Sequence, residues 1–304
     1  MKKISIKQIV KHAFDSGTAI PAFNIPYLPM MAPVISAVKD CDSFALIECA
    51  RLEWRKFAAQ SLEAVAQEFA STADLNFVRL HLDHIPVIDE DDLKVDYLPI
   101  ISRAIKSGYQ SVMIDGSRLA FAENIKATRE VVALAHQADL SCESELGAVM
   151  GHGNGPLPPY EELFSSRKGF TDPQEAQIFA TESGCDWLSV AVGTVHGAIS
   201  KHTRSEKKIT ARLDLDHLER LRDKTGIPLV LHGGSGIAQD FLLNAFELGV
   251  AKLNIGTDIR QVYENSMHTT GQVGAAKDAV YQRVCHLLGH EYKLAGNRSQ
   301  VYFN

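Results

Sequence analysis

The chain has 304 residues, a length that suits one large α/β domain or two small ones. Hydrophobic residues make up 45% of it, enough for a large buried core, and the formal net charge of −6 gives no electrostatic reason to expect nucleic acid or an anionic membrane as a partner. These properties favour a globular protein that acts on a small solute.

The five cysteines are odd in number, widely spaced and without a Cys-x-x-Cys pair. This pattern argues against a disulfide framework and against a zinc ribbon, and it predicts core thiols in a reducing compartment. The basic start of the chain is not followed by a long apolar segment, and no apolar run is long enough to span a bilayer. We therefore expect a soluble, cytoplasmic protein.

Short apolar or alternating segments typical of buried β-strands recur along the chain, and stretches long enough for a helix lie between them. In residues 119–137, for example, Phe121, Ile125, Val132 and Ala135 fall on one helical face. The predicted strands are residues 19–24, 44–48, 77–83, 111–115, 140–146, 187–192, 228–232 and 251–255.

This alternation predicts a parallel sheet with crossover helices, and eight units favour closure into a (β/α)8 TIM barrel over an open doubly wound sheet, which is the alternative. No linker or change of composition divides the chain. We therefore expect a single domain over residues 1–304, with a short C-terminal extension from about residue 290 to 304. The irregular segment 150–172 after the fifth strand is predicted to be a long loop of the kind that often forms a lid.

In a closed barrel the catalytic groups lie at the C-terminal ends of the strands, so the residues that end each strand are the candidates. Six successive predicted strands end in ionisable or glycine-rich residues, which indicates one common site. These ends are His81-Leu82-Asp83-His84, Asp115-Gly116-Ser117, Glu143-Ser144-Glu145-Leu146-Gly147, Gly193-Thr194-Val195-His196-Gly197, His232-Gly233-Gly234-Ser235-Gly236 and Asn254-Ile255-Gly256-Thr257-Asp258.

The histidines at three of these ends, His84, His196 and His232, suit a zinc-like ion with one open coordination position for a substrate oxygen. Asp83 precedes His84 directly, so both side chains can face the metal only if the strand has ended and turned. If it has, Asp83 can exchange a proton with a substrate hydroxyl. Alternatively Asp83 only orients His84.

Two glycine-containing turns, residues 233–236 and 254–257, follow the seventh and eighth strands. Barrels commonly hold a phosphate on backbone N–H groups at this place. Each turn alone would also fit a strand-to-helix connection that needs a positive φ. Their paired placement favours an anion site.

With these motifs the chain resembles the class II, metal-dependent fructose- and tagatose-bisphosphate aldolases over nearly its whole length. The resemblance rests on Pro21-Ala22-Phe23-Asn24, His81-Leu82-Asp83-His84, the segment 108–117, Glu143-Ser144-Glu145-Leu146-Gly147, Thr171-Asp172-Pro173, the segments 190–197 and 229–236, and Lys252-Leu253-Asn254-Ile255.

The resemblance implies a zinc-dependent lyase that reversibly cleaves a ketose phosphate to dihydroxyacetone phosphate and an aldehyde through a zinc-stabilised enediolate. Asp83 would be the acid/base at the C4 hydroxyl, and Asp115 and Glu145 would hold a second divalent metal or a monovalent cation. The implied zinc ligands are His84, His196 and His232, and the implied phosphate contacts are Gly197, Gly233, Gly234, Ser235, Asn254, Ile255, Gly256 and Thr257.

The chain departs from the family pattern where it bears on the substrate. Gly151-His152-Gly153-Asn154 stands where the family has Gly-x-Glu-Asp, so the loop glutamate that moves the C1 proton is absent, and His152, Tyr160, Glu161 or Glu162 are the candidates to replace it. A phosphate-binding serine is replaced within 48–51, where Arg51 or Arg55 could contact an anion instead. These departures count against fructose 1,6-bisphosphate as the substrate without identifying another, and we predict aldol cleavage of a related ketose mono- or bisphosphate.

Two other functions stay open at this point. A non-catalytic or merely sugar-phosphate-binding subunit would fit the missing loop acid, although it would have no physical need for all three histidines and Asp83. A metal-dependent hydrolase is less well supported, since Phe23-Asn24 stands where its His-x-His would be. A homodimer or homotetramer is expected from the resemblance, with no nucleic-acid or membrane partner.

Overall fold

In the computed structural model, residues 4–147, 160–194, 211–234 and 236–302 are described. Eight parallel strands close into a barrel in which each strand pairs with its neighbours in sequence and β8 pairs with β1. This confirms the predicted single-domain TIM barrel. The strands are β1 Ile20–Asn24, β2 Ala45–Ala50, β3 Val78–Pro86, β4 Ser111–Asp115, β5 Ser141–Leu146, β6 Trp187–Val190, β7 Leu229–Leu231 and β8 Val250–Ile255.

Helices surround the barrel and pack on the outward side chains of the strands in one large apolar cluster. Among the described residues, no helix combines the length and the apolarity needed to cross a bilayer. The helices are α1 Ile6–Asp15, α2 Met31–Asp40, α3 Arg51–Lys56, α4 Leu62–Thr72, α5 Tyr97–Lys106, α6 Phe121–Gln137, α7 Tyr160–Ser166, α8 Pro173–Ser183, α9 Leu215–Thr225, α10 Gln239–Glu247, α11 Thr257–Thr270, α12 Val273–His286 and α13 Arg298–Tyr302.

Each strand lies where the sequence predicts one, and β4 has the predicted bounds. The strands are apolar runs because a parallel strand in a closed barrel is covered on one side by helices and filled on the other. β6 and β7 are each two residues shorter than predicted. In both, the chain turns soon after the strand ends, at Gly193 with φ 115° and at Gly233 with φ 69°, conformations that favour glycine.

The N-terminal end of the barrel is closed by α1. This helix begins at a capping box in which the Ser5 side chain accepts from the Gln8 backbone and the Gln8 side chain accepts from the Ser5 backbone. Its buried face packs on residues at or near the start of several strands in a separate apolar cluster, whose members include Ile9, Val10, Ile20, Phe44, Trp187 and Val230. The barrel is therefore sealed at this end.

The C-terminal segment also contacts this end. Val301 of α13 belongs to the same apolar cluster as α1. The buried Asn297 donates from Nδ2 to the Ala19 carbonyl at 2.9 Å and accepts at Oδ1 from the Phe44 amide at 2.9 Å. These contacts fix residues 297–301 to the N-terminal end of the barrel. The domain limits predicted from the sequence stay a prediction.

Candidate metal centre and acid–base site

The C-terminal ends of the strands carry the buried polar side chains of the barrel. In a strand, every second residue faces the same side, so one strand can deliver two such groups, as β5 does with Glu143 and Glu145. Each of these side chains is at most 9% exposed: Asn24, Glu48, Asp83, Asp115, Glu143, Glu145, His232, Lys252 and Asn254. The predicted site residues Asp83, Asp115, Glu145, His232 and Asn254 are thus among the buried polar groups of the barrel.

A β-bulge in β3 allows Asp83 and His84 to face the same site. Leu82 pairs with Val112 and Ile85 with Ile114, so β3 contains one residue more than β4 over this stretch. His84 absorbs it with a φ of 24°, in the left-handed region that a non-glycine residue rarely adopts. The turn that the sequence required is therefore made inside the strand, before it ends at Pro86.

Two of the three predicted zinc ligands meet at this site. His84 Nε2 and His232 Nδ1 face each other at 2.5 Å, with the rings perpendicular. The other nitrogen of each ring contacts a carboxylate, since His84 Nδ1 lies 3.2 Å from Asp115 Oδ2 and His232 Nε2 lies 2.8 Å from Glu143 Oε1. A carboxylate behind each imidazole fixes its tautomer and orientation, as in most protein metal sites. His84 Nε2 and His232 Nδ1 are therefore the nitrogens that would face a metal ion.

The third predicted ligand, His196, lies outside the described residues, as do Gly197, Ser235 and His152. Within the described part of the chain, Asp83 completes a group with His84 and His232 in which one ligand atom from each residue lies within 4.8 Å of the others.

Asp83 is held at both carboxylate oxygens. Asn24 Nδ2 donates to Oδ2 at 2.9 Å, and Asn254 Nδ2 donates to Oδ1 at 3.1 Å. Burial alone would raise the pKa of Asp83, but the positive charges of His84 and Lys252 lower it to about 2. Asp83 is therefore ionised and oriented, as a base beside a metal must be.

Asp115 and Glu145, the predicted second metal position, form a further group with His84 in which the ligand atoms lie within 4.8 Å. Burial and the charge of Asp115 raise the pKa of Glu145 to about 8. Burial would lower the pKa of His84, yet the carboxylates of Asp83, Asp115 and Glu145 raise it to about 10. The same negative field that stabilises a proton on His84 favours a divalent cation at this place.

Behind the metal-facing groups lies a buried ion pair between Lys252 and Glu143. Lys252 Nζ is 2.8 Å from Glu143 Oε2 and 2.7 Å from Glu48 Oε1, and none of the three is exposed. Burial raises the pKa of Glu143, but Lys252 and His232 more than offset it and hold that pKa well below its usual range. Trp187 Nε1 also donates to Glu143 Oε2, at 2.7 Å.

Glu143, Lys252 and Asn24 were not predicted from the sequence as site residues, although each lies in one of the motifs at the strands. A signal was present in each case. Glu143 shares a strand face with Glu145, and Lys252 shares one with Asn254, because each pair is two residues apart. A charged residue inside an otherwise apolar strand indicates a buried partner.

The two turns predicted to bind phosphate lie side by side, but some of their backbone and side-chain groups already have hydrogen-bond partners within the protein. The Gly234 amide donates to the Asn254 carbonyl at 3.1 Å, and a Cβ at position 234 would lie 2.8 Å from that oxygen. The Asn254 side chain contacts Asp83 and Lys252, and Ile255 is fully buried. Gly256 and Thr257 form the start of α11. Phosphate binding here stays a prediction.

Of the candidates for the missing loop glutamate, Tyr160 is already engaged. Its hydroxyl accepts from the Arg212 amide at 2.7 Å and lies 3.1 Å from the carbonyls of Gly193 and Arg212. Glu161 pairs with the Arg212 side chain at 2.5 Å. Tyr160 and Glu161 thus already have partners in this structure, and the replacement of the loop glutamate stays a prediction.

The two arginines proposed as anion contacts differ in their surroundings. Arg51 begins α3 at the C-terminal end of β2, and its Nη1 lies 3.2 Å from Asp89 Oδ2. Arg55 is exposed on the same helix.

Comparison with known proteins agrees with this geometry. The family model of class II fructose-bisphosphate aldolase matches residues 4–294. The structure is similar to that of the YdjI aldolase from Escherichia coli K12, with 25% identity, a TM-score of 0.76 and coverage of 97% of this chain and 98% of that one.

Two further structures share the fold. A putative fructose-1,6-bisphosphate aldolase from Coccidioides immitis has 24% identity, a TM-score of 0.76 and coverage of 98% and 99% of the two chains. The fructose-bisphosphate aldolase from Campylobacter jejuni has 19% identity, a TM-score of 0.71 and coverage of 96% of each chain. Since the family model covers nearly all of the barrel, this chain belongs to the class II fructose-bisphosphate aldolase family.

Proposed function

We propose that the protein is a zinc-dependent aldolase that reversibly cleaves a ketose phosphate to dihydroxyacetone phosphate and an aldehyde. The observation that carries this proposal is the meeting of His84 Nε2 and His232 Nδ1 beside a buried, ionised Asp83. A zinc ion held by His84, His196 and His232 would supply the positive charge that stabilises the ketone and hydroxyl oxygens as negative charge develops on them.

The chain's own groups then account for bond cleavage. Asp83 takes the proton of the C4 hydroxyl, the C4 oxygen forms the aldehyde carbonyl, and the electrons of the C3–C4 bond move to the ketone fragment. Two side-chain amides hold both oxygens of Asp83, so the carboxylate needs little reorganisation to reach its partner. In condensation, the same carboxyl returns the proton.

The phosphate of the ketone half is proposed to bind at the turns after β7 and β8, on Gly233, Gly234, Ser235 and residues 254–257, together with Gly197 in the segment after β6. Asp115 and Glu145 are proposed to hold a second cation. We further expect the protein to act as a homodimer or homotetramer, as the family resemblance implies.

Turnover of zinc-loaded protein across a panel of ketose phosphates, with dihydroxyacetone phosphate detected by coupled NADH oxidation, tests the proposal. We expect activity with at least one ketose phosphate and a loss of about 10²–10⁴-fold in kcat for Asp83→Asn. The matched control is Asp186→Asn, an aspartate at the opposite end of the barrel whose side chain is only 2% exposed. It accepts from the Cys142 amide at 2.7 Å and pairs with Lys7, and the kcat of this variant should stay near the wild-type value. Zinc binding without release of dihydroxyacetone phosphate from any ketose would favour a binding subunit instead.

A further inference from the structure

Lys252 is the one fully buried lysine among the described residues, and the proposed chemistry gives it no task. An ammonium group has three donors. Three acceptors lie close to Nζ: Glu143 Oε2 at 2.8 Å, Asn254 Oδ1 at 2.7 Å and Glu48 Oε1 at 2.7 Å. Lys252 therefore donates to the Asn254 side chain and forms ion pairs with Glu143 and Glu48, although Glu48 Oε1 accepts no hydrogen bond from the described residues.

The contact with Glu143 leads to the metal ligand. Because Lys252 and Trp187 both contact Glu143 Oε2, the second oxygen, Oε1, faces His232 Nε2 at 2.8 Å. A carboxylate in this position requires the proton on Nε2 and leaves the lone pair of Nδ1 directed at His84.

The contact with Asn254 leads to the acid–base residue. A side-chain amide can point either way, but only one orientation lets its oxygen accept from an ammonium. Because Asn254 Oδ1 accepts from Lys252, its Nδ2 is turned to Asp83 Oδ1 and donates there at 3.1 Å. Lys252 therefore determines the orientation of the Asn254 amide that donates to Asp83 Oδ1.

We propose that Lys252 is a positioning residue that couples the two halves of the centre, orienting the metal ligand His232 through Glu143 and the base Asp83 through Asn254. It is not a catalytic residue, since it contacts neither reacting atoms nor the metal-facing nitrogens. The role of Asp83 in this inference rests on the proposed function, whereas the role of His232 rests only on metal binding.

The third contact, with Glu48, supplies a matched control. Burial raises the pKa of Glu48 well above its usual range, against the opposing effect of Lys252. A glutamine at this position keeps the size of the side chain and an oxygen near Lys252. Glu48→Gln therefore changes one partner of Lys252 while leaving the contacts of Lys252 with Glu143 and Asn254 in place.

The first test measures zinc affinity of the apo-protein by competition with a chelating dye, which needs no turnover. We expect Lys252→Met to weaken zinc binding by about 10–100-fold, the usual effect of disturbing a group behind a metal ligand. Glu48→Gln should stay within about twofold of wild type. Lys252→Gln, which keeps two neutral donors, is made alongside in case Lys252→Met does not fold, as judged by circular dichroism.

The second test measures kcat and KM at saturating zinc, where a weaker metal affinity no longer limits activity. We expect kcat to fall about tenfold, as for one misplaced hydrogen bond to a charged group, with KM nearly unchanged. In an Asp83→Asn background the lysine substitution should cause no further loss, because its effect passes through Asp83.

Unchanged zinc affinity in a folded Lys252 variant overturns the inference, because Lys252 would then not orient His232. Unchanged kcat at saturating zinc overturns it as well, because Lys252 would then not orient Asp83. An equal further loss in the Asp83→Asn background overturns it too, as that is the signature of general distortion. A wild-type protein that binds no zinc would instead overturn the proposed function.

Discussion

The two ends of the barrel are built on opposite principles. At the N-terminal end, α1 and Val301 cover apolar side chains that are almost fully buried, and their contacts are non-directional. At the C-terminal end, buried charges such as Lys252, Glu143 and Asp83 are each matched to partners at hydrogen-bonding distance. The first arrangement supplies stability and the second carries the groups of the proposed chemistry, so damage to one should leave the other largely intact.

The largest expected effect comes from removing the metal from the C-terminal end. Dialysis against a chelator should lower kcat by about 10³-fold or more, because a metal Lewis acid supplies several kcal/mol of transition-state stabilisation. Added Zn²⁺ should restore turnover in the wild type but not in His232→Ala. The far-UV circular dichroism should be unchanged throughout, because the sealed end does not depend on the ion.

Retention of full activity after exhaustive chelation, verified by elemental analysis, would contradict both the metal requirement and the proposed role of His232. Loss of the circular dichroism signal together with activity would show that the two ends are not separable.

The complementary experiment damages the sealed end. Ile9 is fully buried in α1, so Ile9→Ala should lower the free energy of unfolding by about 2–5 kcal/mol while kcat of the folded protein stays near the wild-type value. Denaturant unfolding and steady-state kinetics measure the two quantities.

The control for this change is Ile178→Ala on α8, where the side chain is 46% exposed, and its effect on stability should stay within about 0.5 kcal/mol. If kcat falls markedly although the Ile9→Ala protein is fully folded under the assay conditions, the packing at the N-terminal end also affects the geometry of the site.

A pH-dependent effect concerns Glu53, a buried carboxyl at the C-terminal end of the barrel whose Oε2 accepts from the Ala50 amide at 2.8 Å. Burial raises its pKa to about 8, with the Ala50 amide opposing and Asp83 adding to the rise. Since the folded-state pKa exceeds the unfolded one, the folded chain keeps a proton that the unfolded chain has lost between about pH 4.3 and pH 8. This contribution to stability is present at low pH and is lost as the pH rises through 8.

Glu53→Gln keeps the acceptor and removes the titration. Its free energy of unfolding relative to wild type should therefore increase by up to about 1.4 kcal/mol per pH unit from about pH 5 to pH 8 and stay level above that, as measured by denaturant unfolding at several pH values.

Glu63→Gln is the control for this titration. Burial opposes the shift at Glu63, but hydrogen bonds from its own backbone and from Arg103 lower its pKa, so its contribution is lost only as the pH falls to acidic values. Its difference from wild type should be flat between pH 5 and 8. A flat difference for Glu53→Gln as well would contradict the raised pKa.

The barrel itself could be predicted because its signal is local. Buried parallel strands are short apolar runs, and β4 was predicted to the residue because polar or turn-forming residues flank Ser111–Asp115 on both sides. His84 and His232 were likewise found from their position at strand ends, and the structure brings them together. His196 lies outside the described residues and stays a prediction.

The parts that were missed depend on contacts between distant strands. Lys252 contacts Glu48 of β2 and Glu143 of β5, partners 204 and 109 positions away in sequence, which no periodicity within one strand reveals. The bulge at His84 was recognised only as a requirement, because its place depends on the pairing of β3 with β4. Sequence pattern thus identifies which residues point inward, whereas the closed barrel determines which of them meet.

The packing of α1 on Val301 has a consequence for biosynthesis. Residues 6–13 are synthesised long before Val301, yet their apolar face is completed by this residue almost three hundred positions later. During translation this face lacks its partner until α13 has emerged, and transiently exposed apolar surface of this kind is what chaperones bind. A nascent chain stalled before residue 301 should therefore bind a general chaperone through α1, and release of the finished chain should end that binding.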